Sequence, residues 1–154
     1  MKKTNTNHSN HFFNVDECAD ILTRPRNKCA ANIDEGKYVE FNIYDVVAIN
    51  KRHPDTFVIP NELAHSLVTP GMLVKIYADW CDSESLDERF WVRITDVSEL
   101  EYGEKVLYGI AENDTLYVPY GSYIGPILLR NICDMDLEDY VKHHQQSNPA
   151  STIC

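Results

Sequence analysis

The sequence predicts an α+β fold: a small antiparallel, SH3-like and partly open β-barrel with flanking helices. Three observations carry this expectation. Strand-like runs at Met72–Ala78, Arg89–Val97 and Val106–Glu112 follow one another, each closed by turn chemistry. A Pro70-Gly71 pair punctuates the chain directly before the first of them. The N-terminal half supplies short helices that can cover an edge or an end of the barrel. A split antiparallel sheet packed on helices is the alternative, and it is also α+β.

Taken in order, residues 1–12 are rich in Asn, Thr, His and Lys and are expected to be disordered. A single domain is expected over 13–145. It opens with a short helix capped by Asn14 or Asp16, with Cys18, Ile21 and Leu22 on one face and Pro25 as its stop. From Lys37 to Ile43 the chain alternates, with Val39, Phe41 and Ile43 to one side and Tyr38, Glu40 and Asn42 to the other, as in a half-buried strand. Asp45 can cap a helix through Val46, Val47 and Ile49 that Pro54 ends. Phe57–Pro60 reads as extended, and Asn61–Leu67 as one or two helical turns. The β module spans about 70–133. Within it, Asp79–Glu88 holds five acids and no base, as expected of a solvated hairpin loop. Asn113-Asp114 marks a turn, Leu116–Tyr123 is irregular and tyrosine-rich, and Ile124–Ile132 closes the module with Pro126 at an edge or a bend. Asp136 caps a final helix over about 136–145, with Glu138 and Asp139 in its first turn and Lys142, His143 and His144 in its last, matching the helix dipole. Residues 146–154 read as a flexible tail.

Composition narrows the function. The chain has 154 residues, 44% hydrophobic and 25% charged, as in a globular domain. Its net charge of −10 is uneven: residues 1–30 carry +2 and residues 31–154 carry −12. An acidic body repels phosphate backbones, so nucleic acid is not an expected partner; a basic protein surface is favoured. Five cysteines at irregular spacing argue against a disulfide framework and fit a reducing compartment. No run approaches the ~18 apolar residues of a membrane span. A cytoplasmic location is therefore expected, with translocation into a host cell as an effector the alternative.

Two groups of residues are the candidate binding site. In Arg89–Thr95, alternation puts Phe90, Val92 and Ile94 on one face and Arg89, Trp91 and Arg93 on the other. If the first set is core, Trp91 stands between two guanidinium groups, a good contact patch. The plain alternative puts Trp91 in the core beneath a helix. The second group is Tyr117, Tyr120 and Tyr123 in a glycine-containing loop, able to contact a partner or to pack over the barrel's end. His8, His11, Cys18 and Cys29 lack a known zinc spacing, and the acidic run lacks the order of a calcium loop, so no metal or cofactor is expected. Cys81 and Cys133 are the residues an enzymatic reading would use, but no nucleophile motif, glycine-rich phosphate loop or paired metal carboxylate surrounds them, and no catalysis is expected.

Three pieces of the chain share an order: His53-Pro54-Asp55-Thr56-Phe57-Val58-Ile59-Pro60, then Gly71-Met72-Leu73-Val74-Lys75, then Arg89-Phe90-Trp91-Val92-Arg93-Ile94-Thr95 with Asn113-Asp114. Over roughly 39–133 this resembles a bacterial domain family of unknown function whose pattern is Phe-x-Ile-Pro, Gly-Asp-x-Val-Lys, Phe/Met-Trp-Val-x-Val-Thr, Asn-Asp-Pro. Met72 and Thr115 depart from it, standing where the family carries Asp and Pro. The resemblance implies no catalytic residues; it implies a setting among interaction or toxin-immunity proteins. The expected function is a non-catalytic protein-interaction module of an immunity-type or effector protein. A small-molecule or nucleotide sensor with a tyrosine-lined barrel mouth is the alternative.

Overall fold

The computed structural model describes residues 20–82, 84–138 and 141. The expected N-terminal tail, the zinc candidates His8, His11 and Cys18, most of the helix expected over 136–145 and the C-terminal tail lie outside the described residues.

Among the described residues, seven strands form one antiparallel sheet: β1 (Arg26–Asp34), β2 (Lys37–Tyr44), β3 (Leu73–Asp79), β4 (Glu88–Glu99), β5 (Lys105–Ala111), β6 (Tyr123–Leu128) and β7 (Ile132–Met135). Their order is β2-β1-β6-β5-β4-β3-β7, and β2 also pairs with β3 through Asn42↔Asp79 and Ile43↔Ala78, which closes a six-stranded barrel. β7 shares that edge of β3, opposite Val74–Ile76. The predicted barrel is thus present, and it closes further than the partly open form expected. The difference is β1. Its only buried side chains are Cys29 and Ala31, so it carries no β-branched run to announce a strand.

Turn chemistry set the remaining boundaries largely as expected. Gly71, at φ +97°, donates its N–H to Ile94 O at 2.7 Å, a conformation that favours glycine and starts β3 beside β4. Asp45 accepts the Ala48 N–H at 3.0 Å and caps α1 (Val46–Arg52). Asn61 does the same for α2 (Glu62–Ser66) through the Ala64 N–H at 2.8 Å. The single closing strand expected over Ile124–Ile132 is instead two, β6 and β7, broken by a 3₁₀ turn at Leu129–Asn131. Pro126 lies in an interior strand, opposite the register shift between Leu107 and Gly109 of β5, where a missing N–H interrupts no ladder bond.

The barrel interior is filled by alternate residues of each strand, among them Phe41 and Ile43, Val74 and Ile76, Phe90, Val92 and Ile94, Leu107, and Ile124 and Ile127. Trp80, from the β3–β4 loop, plugs one end against Phe41, Phe90 and Tyr117. A second cluster lies outside the barrel wall. There Tyr44, Val46, Ile49 and Cys133 pack with Phe57, Ile59 and Tyr77. It fastens α1 and the extended 57–60 segment onto β3 and β7. Asn131, fully buried, ties the closure together: it donates to Asn27 Oδ1 at 2.7 Å and Tyr44 O at 3.0 Å and accepts the Leu128 N–H at 2.8 Å.

A cationic and aromatic face on strands β3 and β4 as the candidate functional site

Alternation along β4 buries Phe90, Val92 and Ile94 almost completely and turns Arg89, Trp91 and Arg93 outward. Trp91 is therefore not a core residue; it is half-buried on the outer wall. Its backbone is held on both sides. Asn113 Oδ1 accepts the Trp91 N–H at 2.8 Å, and Trp91 O accepts the Glu112 N–H at 2.9 Å. Asn113 thus substitutes a side-chain acceptor for a ladder bond beyond the end of β5. Asp114 Oδ1 accepts the Tyr120 N–H at 2.7 Å and fixes the start of the following loop.

The flanking cations are ordered by their neighbours. Lys75, paired with Trp91 across the β3–β4 ladder, places its Nζ 4.7 Å from the centre of the Trp91 ring. The Arg89 guanidinium packs over Tyr77 at 4.6 Å and Phe57 at 5.2 Å. Arg93 donates to Gly71 O at 3.0 Å and pairs with Glu112 at 3.7 Å. Three cations and one large aromatic ring therefore share one wall of an otherwise acidic protein. Beside it lies a cavity of about 200 Å³ lined by Phe57, Val58, Lys75, Arg89, Cys133 and Asp134.

Burial pushes the Cys133 thiol up to about 11 against the pull of Arg89 and Lys75, and pushes Cys29 up to about 12. Both are neutral thiols at pH 7 and weak nucleophiles. Cys29, Cys81 and Cys133 are all free. Among the described residues no group of three or more His, Cys, Asp or Glu could hold a metal ion, and no helix is long and apolar enough to cross a membrane.

The tyrosine loop is arranged differently from a lined mouth. Tyr117 sets its ring edge on Trp80 at 5.5 Å and donates its hydroxyl to Asp82. Tyr123 stacks on Tyr108 at 5.9 Å and reaches Asp96 at 3.3 Å. Tyr120 is exposed, and no ring contact joins the three. The acidic hairpin also departs from expectation. Asp79 pairs with Arg26, Asp87 accepts the Tyr44 hydroxyl at 2.6 Å, and Glu88 accepts the Trp80 indole N–H at 3.1 Å and the Leu116 N–H at 2.8 Å. Hydrogen bonds from Ser85, Tyr117 and the Glu84 N–H bring the Asp82 carboxyl down to about 2. These acids pin the loop to the barrel end; they are not a free anionic surface.

Sequence reading identified Arg89, Trp91 and Arg93 as one face, and it missed Lys75, Phe57 and the cavity. Lys75 was within reach, because the period-two argument applied to Met72–Ala78 puts Leu73, Lys75 and Tyr77 outward. Phe57 and Cys133 were not, since only the folded chain brings residues 57, 75, 89 and 133 together. Compared with protein-family models, with curated proteins and with solved structures, the chain finds no match in any of the three.

Proposed function

We propose that the protein is a non-catalytic interaction module that binds another protein through the outer wall of β3 and β4, with Trp91 as the anchor and Arg89, Arg93 and Lys75 around it. One observation carries the reading. A partly buried tryptophan lies on the outer wall amid ordered cations, while its strand neighbours Phe90 and Val92 fill the core. Burying such a ring costs little conformational entropy and removes a large apolar area from water, while guanidinium groups supply directed hydrogen bonds at the rim. Cys133, the thiol beside this wall, is buried and neutral at pH 7, which supports a binding role for the wall. The resemblance read in the sequence supports a toxin-immunity setting, and the irregularly spaced cysteines support a reducing, cytoplasmic one. No observation favours the sensor alternative, because the Tyr117 and Tyr123 hydroxyls are already taken up by Asp82 and Asp96.

Affinity capture from the source cells with the wild-type chain and with Trp91→Ala tests the reading. The expected result is a partner retained by the wild type and lost by a variant whose near-ultraviolet circular dichroism still reports a folded barrel. Equal capture by both would overturn it.

A further inference from the structure

The cavity beside Trp91 has a composition of its own. Two cations line it, Lys75 and Arg89, and neither makes an ion pair with an acid among the described residues. The one carboxylate in its wall, Asp134, accepts the Met135 N–H at 2.8 Å. Cys133 contributes no charge at neutral pH. The cavity is therefore net cationic on a chain whose net charge is −10. Its cations are preorganised: Arg89 rests on two aromatic rings and Lys75 on a third, so a ligand need not order them.

We propose that this cavity receives a carboxylate, the side chain of an Asp or Glu on a partner segment that lies across the Trp91 face. The proposal rests on the interaction reading and names the chemistry of its partner. Size supports a side chain: about 200 Å³ is below the roughly 300–1,000 Å³ of small-molecule sites. Charge supports a monoanion, since Asp134 in the wall disfavours a dianion and the acidic body disfavours a polyanionic backbone. Geometry supports a planar group, because a guanidinium fork matches a carboxylate. The body's negative charge slows the approach of an acidic segment, but screening confines that effect to about 8 Å at physiological salt. The local contacts then set how long the segment stays.

The test is a titration of the full ¹⁵N-labelled chain with end-capped hexaglutamate, hexaglutamine and inorganic phosphate, reading the Trp91 indole N–H and the Arg89 Nε–H signals. Arg89→Met and Lys75→Met keep the stems that pack on the rings and remove only the charges; Lys37→Met, on the exposed start of β2, is the control. Hexaglutamate is expected to shift both signals saturably. Its apparent affinity is expected to fall at least about ten-fold in each cavity variant and to hold in the control, with no response to hexaglutamine. An undiminished response in Arg89→Met would overturn the proposal. So would phosphate saturating the same signals at lower concentration than the peptide, which would mark a site for small free anions. If hexaglutamate leaves Arg89 unmoved while Trp91→Ala still abolishes capture, the cavity proposal falls and the interaction reading stands. If the peptide titrates as expected and Trp91→Ala captures normally, the interaction reading falls instead.

Discussion

Neighbouring residues on β4 make opposite contributions, and that contrast is measurable. Phe90 is buried between Trp80 and the core, so Phe90→Ala is expected to cost about 3–5 kcal/mol as a cavity mutation. Trp91 lies on the outer wall, partly buried and in cation–π contact with Lys75, so Trp91→Ala is expected to cost about 1 kcal/mol or less. Chemical denaturation of the two variants checks the ordering, and equal losses would place Trp91 in the core. A second residue-scale expectation concerns Gly125. A Cβ there would stand 2.1 Å from the Tyr108 ring, which lies across the glycine and stacks on Tyr123. Gly125→Ala must lift that ring from the strand. A loss of about 1–3 kcal/mol is expected, as for overpacking, and the same denaturation experiment reads it.

At the scale of elements, a few buried polar groups hold the short pieces to the barrel. Asn131 joins the 3₁₀ turn to β1 and β2; Asn131→Leu leaves Tyr44 O and the Leu128 N–H without that partner. A cost of about 2–4 kcal/mol is expected from the two orphaned backbone groups, measured by denaturation. His65 fastens α2 to β7, donating from Nε2 to Ile132 O at 2.9 Å. Burial holds its imidazole below the ordinary 6.5, a shift the hydrogen bond to Ile132 partly offsets. The unfolded chain therefore takes up a proton that the folded chain resists. The contribution is complete above about pH 6.5 and is lost as pH falls through the lower folded value. His65→Gln retains a donor and removes the titration. Between pH 7.5 and 5.5 the wild type is expected to lose more thermal stability than this variant, and parallel curves would show that His65 takes up its proton equally in the folded and unfolded states.

For the whole molecule, closure of the barrel decides which groups meet reagents. Cys29 faces the interior and Cys133 lies beneath the 57–60 segment, whereas Cys81 is exposed in the β3–β4 loop. Alkylation of the native chain, mapped by mass spectrometry, is expected to mark Cys81 well before the other two. Simultaneous labelling of Cys29 and Cys81 would mean that the β1–β2 hairpin opens readily. The same closure determines the charge pattern. Because Asp79, Asp82, Asp87 and Glu88 are acceptors for groups on other elements, the acidic hairpin is spent on structure, and the cationic wall of β3 and β4 is left as the distinctive surface.

Much of this was legible before folding, because it depends on local rules. Period-two alternation found β2, β4 and the outward placement of Arg89, Trp91 and Arg93; strand-like runs closed by turn chemistry found β3 and β5; the Asp45 cap found α1 and the Asn61–Leu67 turns α2; Pro70-Gly71 found the entry to the barrel. What the tertiary structure alone decided depends on residues distant in the chain. β1 holds its place with small buried side chains that carry no local signature, and its pairing with β6 and β2 is what closes the sheet. The acidic loop reads as solvated until Arg26, Tyr44 and Tyr117 are brought to it. The cavity exists only where residue 57 crosses residues 75, 89 and 133. Local alternation assigns a side chain to a face; which other element meets that face is set by long-range packing, and no short window of sequence contains both partners.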